Sequence, residues 1–322
     1  MTSIFSTARH WVSVTAPYRL DLTVSVLRRL STNTVDIFTA EGQYIRAFGD
    51  FQQPVVVLVT QEKPETLAVT IEGRTADHVP ALALVRRMLG VDRDLASFTR
   101  AAKRISWLRP LVIAMSGVKP PRYPTLWEAC VNAILFQQVS LAAASSILRR
   151  MIEAMSPPIE RNHITFHPFP SVEKFTSTRD DLLRNVGLST SKLATLRRVA
   201  DAIQARVLDE TSLEALPSPE AAARLRQIKG IGSWTATVIL LRGLGRLDVF
   251  PMNDSSVARN LITVAGDTPF DIDQVLAALG PQRGMLYYHL LLARLKARGD
   301  IGRASVAGLV SRNFTAQPGH HG

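Results

Sequence analysis

The sequence predicts a mainly α-helical protein in two parts: a small mixed α/β domain over residues 1–112, then a helical region over residues 113–310. Three observations carry this. Short runs rich in β-branched residues crowd the first third. From about residue 92 the apolar residues recur at helical steps of three and four. Between them lies Leu108 to Pro124, broken by Pro110, Gly117, Pro120, Pro121 and Pro124, so the join is placed within residues 110–120.

Taken in order, Trp11 to Thr15 alternates apolar and polar as a half-buried strand does. Leu20 to Leu30 follows with Leu22, Val26, Leu27 and Leu30 near helical spacing. Thr34 to Thr39, Gln43 to Phe48, Pro54 to Thr60 and Leu67 to Ile71 read as strands. A helix over Val79 to Leu89 closes the domain, with Gly90 as its C-cap. Beyond the join, Trp127, Val131, Ile134 and Leu135 mark one helix face, and Leu193, Leu196, Val199, Ala200, Ile203 and Val207 mark another. Leu286 to Leu295 is a late apolar helix, and no strand pattern appears between residues 125 and 310. Residues 311–322 read as a disordered tail, and its His320 and His321 are too few for a metal site.

Composition narrows the function classes. At 322 residues and 46% hydrophobic, the chain can bury a sizeable core. Its 38 Lys plus Arg against 27 Asp plus Glu give +11, which favours a polyanionic partner such as nucleic acid or an anionic surface. Apolar runs such as Val55 to Val59 and Val238 to Leu241 fall short of the roughly 18 residues of a membrane span. Met1 to Trp11 carries Arg9 and His10 without a signal-peptide core, so a cytoplasmic protein is expected, nucleoid-associated if bacterial. The one cysteine, Cys130, rules out an internal disulfide, a four-cysteine zinc site and a four-cysteine iron–sulfur cluster in this chain. Its apolar neighbours mark it as a core residue.

The informative stretch runs from Leu225 to Asn260, LRQIKGIGSWTATVILLRGLGRLDVFPMNDSSVARN. A helix ends near Gln227, the turn Ile228-Lys229-Gly230-Ile231-Gly232-Ser233 follows, and a second helix starts at Ser233 or Trp234. Two glycines one residue apart reverse the chain and expose backbone N–H groups at a helix start, where a phosphate can approach. Lys229 adds charge. Alone, such a turn also suits a plain helix connector. After the loop Arg246 to Asn253, Asp254 stands where an N-cap belongs, held charged by the helix N-terminus. A carboxylate there can face a developing cation, as when an N-glycosidic bond breaks, or can be an ordinary cap. The rival carboxylate, Asp248, precedes Val249-Phe250 and reads as structural.

These residues resemble the helix-hairpin-helix (HhH-GPD) DNA glycosylase superfamily, and most closely its alkylation-repair branch, the bacterial 3-methyladenine DNA glycosylase II (AlkA-type) proteins. The hairpin Gly230-Ile231-Gly232-Ser233-Trp234-Thr235-Ala236, the loop Asp248-Val249-Phe250-Pro251 and Asp254 match it, with 254 − 234 = 20 positions between Trp234 and Asp254. Trp127 to Ser140, and Gly187-Leu188-Ser189 with Lys192, resemble further family segments.

The resemblance implies a two-lobed helical domain behind the mixed α/β domain. It implies a monofunctional enzyme that excises alkylated bases, of the 3-methyladenine and 7-methylguanine kind, from damaged duplex DNA. Asp254 is then the key carboxylate. Trp234 holds the place of the lysine by which strand-cutting relatives form a Schiff base, so no lyase step is expected, and its indole can stack on a flipped, cationic base. Gln138 takes the wedge position, Gln137 supports it, and Lys229, Gly230, Ile231, Gly232, Ser233 and Thr235 meet DNA. Carbonyls of Arg226, Ile228 and Ile231 match a monovalent-cation site; no cofactor is required and no iron–sulfur cluster is expected. Val238 and Gln282 stand where a relative has aromatic pocket residues, which leaves the substrate range open. Ser255, Ser256 and Lys229 also depart from the family pattern. A monomer that binds DNA and no membrane is expected. The alternatives are a helix-hairpin-helix protein that binds DNA without chemistry, a glycosylase for deaminated or oxidised bases, and a basic RNA- or membrane-surface protein.

Overall fold

The computed structural model describes residues 5–49, 53–252 and 254–301. Five antiparallel strands, β1 (Phe5–Ser13), β2 (Ile37–Phe38), β3 (Tyr44–Phe48), β4 (Val55–Lys63) and β5 (Thr66–Arg74), form one sheet in the order β1-β5-β4-β3-β2. Register pairs Val59 with Val69 and Val57 with Ile71. Alternation therefore puts Val57, Val59, Leu67, Val69 and Ile71 on one face. Helices α1 (Leu20–Arg28) and α2 (His78–Leu89) cover that face through Leu20, Val24, Leu27, Ala81, Val85 and Met88. Gly90 ends α2 in the left-handed region at φ 60°.

The opposite face is covered from the helical part of the chain. A short hairpin, β6 (Ile159–Arg161) and β7 (Ile164–Phe166), packs Phe166, Ile159 and Ile164 against Ile37, Ile45, Ala47 and Val56. This corrects the expectation of no strand after residue 125. Three-residue strands are too short to show a period, and only the consecutive positive φ values of Asn162 and His163 (49° and 64°) mark the turn.

The remaining helices form two lobes. Helices α5 (Leu126–Leu135), α6 (Leu141–Met155), α7 (Val172–Ser177), α8 (Asp180–Asn185), α9 (Thr190–Gln204), α10 (Glu210–Ala215), α11 (Ser218–Arg226) and α12 (Ser233–Arg242) surround one core. All ten residues of α5 are buried, and Trp127, Val131, Ile134 and Leu135 enter this core. Val207, expected on the buried face of α9, falls beyond the helix end and is exposed. A second core joins α3 (Ala96–Lys103) and α4 (Arg109–Ala114) to α13 (Ser255–Ala265), α14 (Ile272–Leu279) and α15 (Met285–Ala297). The packing thus draws the division near residues 91–95, ahead of the expected join, because α3 and α4 place Phe98, Ala102 and Val112 in this late-sequence core. Helix α1 serves both sides: Leu20, Val24 and Leu27 face the sheet, while Leu22 and Val26, with Leu30 just past its end, enter the second lobe. The tail expected over residues 311–322, and residues 302–310, lie outside the described residues.

A buried ionic cluster locks the sheet to α5. Arg46 donates to Asp36 at 2.6 Å and to Glu128 at 2.5 Å, all three side chains being nearly inaccessible. Burial opposes the Arg46 charge, but the two carboxylates together raise its pKa well above the usual range.

Candidate active site

The hairpin forms as its glycines require. Helix α11 ends at Arg226, Ile231 N–H donates to the Ile228 carbonyl at 3.0 Å, and α12 starts at Ser233 with Gly232 as N-cap. The two glycines do different work. Gly230 has φ 106°, and a Cβ there would lie 2.1 Å from Thr195 Oγ1 on α9. Gly232 has an ordinary φ of −87° and open space where its Cβ would be. Close packing therefore needs the first, and the second leaves the helix start bare. Lys229 and Ser233 are exposed beside it, whereas Thr235 is buried.

Gln137 braces this turn. Its Nε2 donates to Thr235 Oγ1 at 2.6 Å and to the Gly230 carbonyl at 3.2 Å. Gln138 next to it is exposed, at φ 54°, on the turn between α5 and α6. Lys192 steadies the same turn by donating from Nζ to the Leu135 carbonyl at 2.8 Å, at the negative end of α5. Burial lowers its pKa.

Asp254 caps α13, as expected. Its Oδ1 accepts from the backbone N–H of Ser256 at 2.8 Å and of Val257 at 3.1 Å. Its Oδ2 accepts from Trp234 Nε1 at 2.9 Å. This last bond joins the lobes, since Trp234 sits on α12 of the first and Asp254 opens α13 of the second. Ser256 ties α13 to α15 by accepting from Arg294 Nη1 at 2.7 Å. Asp248 lies exposed on the loop. Asn253 lies outside the described residues.

Phe136 and Val249 each pack against both cores, so they lie between the lobes that the Trp234–Asp254 bond joins. Over Phe136 lies the Arg29 guanidinium, 4.0 Å from the ring centroid. Arg29 follows α1 at φ 60° and is only 7% exposed, and its Nη1 has no hydrogen-bond partner. Burial, and then the charge of Arg242, lower its pKa, while Asp254 is among the groups that pull it back up. Neither Arg29 nor Phe136 stands out in the sequence. Arg28-Arg29 reads as the usual basic end of a helix, and Phe136 as one more apolar residue of α5.

Two expected pocket residues are engaged in packing. Val238 is 4% exposed and taken up in the first core, where an aliphatic side chain is best satisfied. Gln282 caps the start of α3: its Oε1 accepts from Ser97 Oγ at 2.6 Å and Phe98 N–H at 2.9 Å, and its Nε2 donates to the Asp94 carbonyl at 2.8 Å. Its polar atoms are thereby spent on packing. Burial pushes the Cys130 thiol up to about 12, as befits a core residue.

The profile of the family described as "HhH-GPD superfamily base excision DNA repair protein" matches residues 131–277. The chain is also 32% identical to DNA-3-methyladenine glycosylase 1 of Schizosaccharomyces pombe, over 51% of this chain and 71% of that protein. The chain belongs to the HhH-GPD superfamily. A second relative, a probable bifunctional transcriptional activator/DNA repair enzyme AlkA of Mycobacterium tuberculosis, is 32% identical over 55% of the chain. This HhH-GPD chain spans about a third of that protein's length, 35%. The fold is that of the 3-methyladenine DNA glycosylase of Archaeoglobus fulgidus, with a TM-score of 0.76 and 22% identity over 89% of this chain and 99% of that one. Among the described residues no helix is long and apolar enough to cross a membrane.

Proposed function

We propose that this HhH-GPD protein is a monofunctional DNA glycosylase that removes alkylated bases, of the 3-methyladenine and 7-methylguanine kind, from duplex DNA by hydrolysis. The observation that carries the reading is the Asp254 carboxylate at the seam of the lobes, held by two backbone N–H groups and the Trp234 indole. The named activity of the Schizosaccharomyces pombe relative supports it.

The bare helix start at Gly232 grips a phosphate, helped by Lys229. The damaged nucleotide leaves the stack, which costs a few kcal/mol and less for a weakened pair. Gln138, exposed at its turn, fills the gap, while Gln137 ties that turn to the hairpin. The base enters beside Trp234. As the glycosidic bond breaks, positive charge grows on the sugar and Asp254 stabilises it. A charge pair about 4 Å apart at an effective dielectric near 20 contributes roughly 4 kcal/mol, or about a thousandfold in rate. Trp234 carries no amine, so water attacks the sugar and an abasic site is left. The carbonyls of Arg226, Ile228 and Ile231 would hold a monovalent cation, which would supply positive charge for binding phosphate. The protein acts as a monomer.

Asparagine is also a good N-cap, so Asp254→Asn preserves the start of α13. The expected outcome is unchanged duplex binding with about a thousandfold or greater loss of single-turnover release of methylated purines. Near-normal release by this variant would refute the assignment. Borohydride added during turnover is expected to trap no enzyme–DNA adduct, and a trapped adduct would overturn the monofunctional reading.

A further inference from the structure

Arg29 is the second charged group at the seam, and nothing in the chemistry above uses it. Its guanidinium is more than nine-tenths buried, stacked on Phe136, and among the described residues its Nη1 is without a partner. Arg242, fully buried on α12, is near enough for its charge to act on Arg29, and its Nη2 is bound to the Val26 carbonyl at 2.9 Å. Neither arginine makes an ion pair among the described residues. A desolvated cation with a donor to spare is costly unless an acceptor reaches it. Phe136 borders Gln137 and packs on both cores, and the Asp254 charge acts on Arg29, so the guanidinium lies at the junction of the lobes that Asp254 borders.

We propose that Arg29 is a specificity-determining residue which biases the site toward uncharged lesion bases that carry a carbonyl or ring-nitrogen acceptor. The inference rests on the glycosylase reading and extends its substrate class to uncharged bases. In the hydrolysis the glycosidic bond breaks with its electron pair passing to the base nitrogen. Water forms the new bond to C1′, and its proton ends on a base that left as an anion, or in solvent when the base left neutral. A base that starts neutral departs with negative charge, which an Arg29 N–H can stabilise. A base that starts cationic departs neutral, and the Arg29 charge opposes its entry.

The test compares single-turnover release of hypoxanthine, neutral with an O6 carbonyl, and of 7-methylguanine, cationic, from otherwise identical duplexes. Wild type, Arg29→Met and Arg29→Gln are assayed side by side, with Asp254→Asn as control. The expected result is that Arg29→Met lowers the hypoxanthine to 7-methylguanine rate ratio by at least about tenfold. Arg29→Gln, which keeps a donor without the charge, is expected to lower it less, and it carries the test should the methionine variant fail to fold. An unchanged or increased ratio in the folded variants overturns this inference alone, as does a wild type that releases 7-methylguanine but no hypoxanthine. A wild type that releases neither base, and matches Asp254→Asn, sinks the glycosylase reading together with it.

Discussion

At the scale of single residues, Asp254 and Trp234 act as a pair. The carboxylate has two oxygens and the structure divides them: Oδ1 starts α13, and Oδ2 takes the indole N–H. An Asp serving only as a cap has no need of the second contact. Trp234→Phe keeps the ring and removes the donor. The expected outcome is a fold that melts close to wild type and base excision slowed about ten- to a hundredfold, the range for a hydrogen bond to a charged group. Wild-type single-turnover rates in this variant would show that the contact positions nothing. Asp254 and Trp234 are both legible in the sequence, since a cap position and the Trp234-to-Asp254 spacing are local properties of the chain. Arg29 is not legible, because its importance lies in what surrounds it: the ring of Phe136, from more than a hundred residues away, and the absence of a bound acceptor on Nη1.

At the scale of elements, the hairpin separates packing from contact. Gly230→Ala forces a Cβ against Thr195 and asks an L side chain to adopt φ 106°. We expect about 2 kcal/mol or more of lost stability in urea unfolding, as for overpacked and strained sites. Gly232→Ala meets neither obstacle, so it should unfold like wild type and weaken duplex binding instead, because the new methyl stands at the proposed phosphate contact. Equal stability losses in the two variants would contradict this division. The sequence shows that a turn with two glycines joins two helices. It does not show which glycine faces α9, since that depends on where Thr195 comes to rest. The same holds for Gln137, whose partners Gly230 and Thr235 lie almost a hundred residues further along. Gln282 and Val238 show the converse: positions aligned with a pocket are claimed by a helix cap and a core.

At the scale of the whole molecule, the core of the second lobe holds a titratable group that must stay dry. His289 lies in the second core, tilted 5.0 Å from Phe98, with Nδ1 at 2.8 Å from the Met285 carbonyl. Burial holds its pKa down at about 4, the Met285 carbonyl pulling weakly the other way. In the unfolded chain the imidazole titrates near about 6.5. Between these values the unfolded state binds more protons, so this contribution to stability is complete above about pH 6.5. It falls as pH drops toward about 4 and is flat below that. At about pH 5 the loss is on the order of 2 kcal/mol. Urea unfolding at about pH 7.5 and 5 should therefore show a smaller pH dependence for His289→Gln than for wild type. Identical slopes would remove His289 from the account.

Acting alone, the sequence determined the periodic elements, the order of a strand-rich part before a helical one, the hairpin, and the cap at Asp254. Each of these follows from residues within a few turns of one another, where backbone preference and apolar spacing suffice. Only the tertiary structure decided that α3 and α4 belong with the late helices and that a hairpin from the helical part covers the sheet. It alone brought Trp234 to Asp254 and left Arg29 buried beside them. Those outcomes depend on which distant surfaces exclude water together, and burial of that kind leaves no period in a single chain to be read.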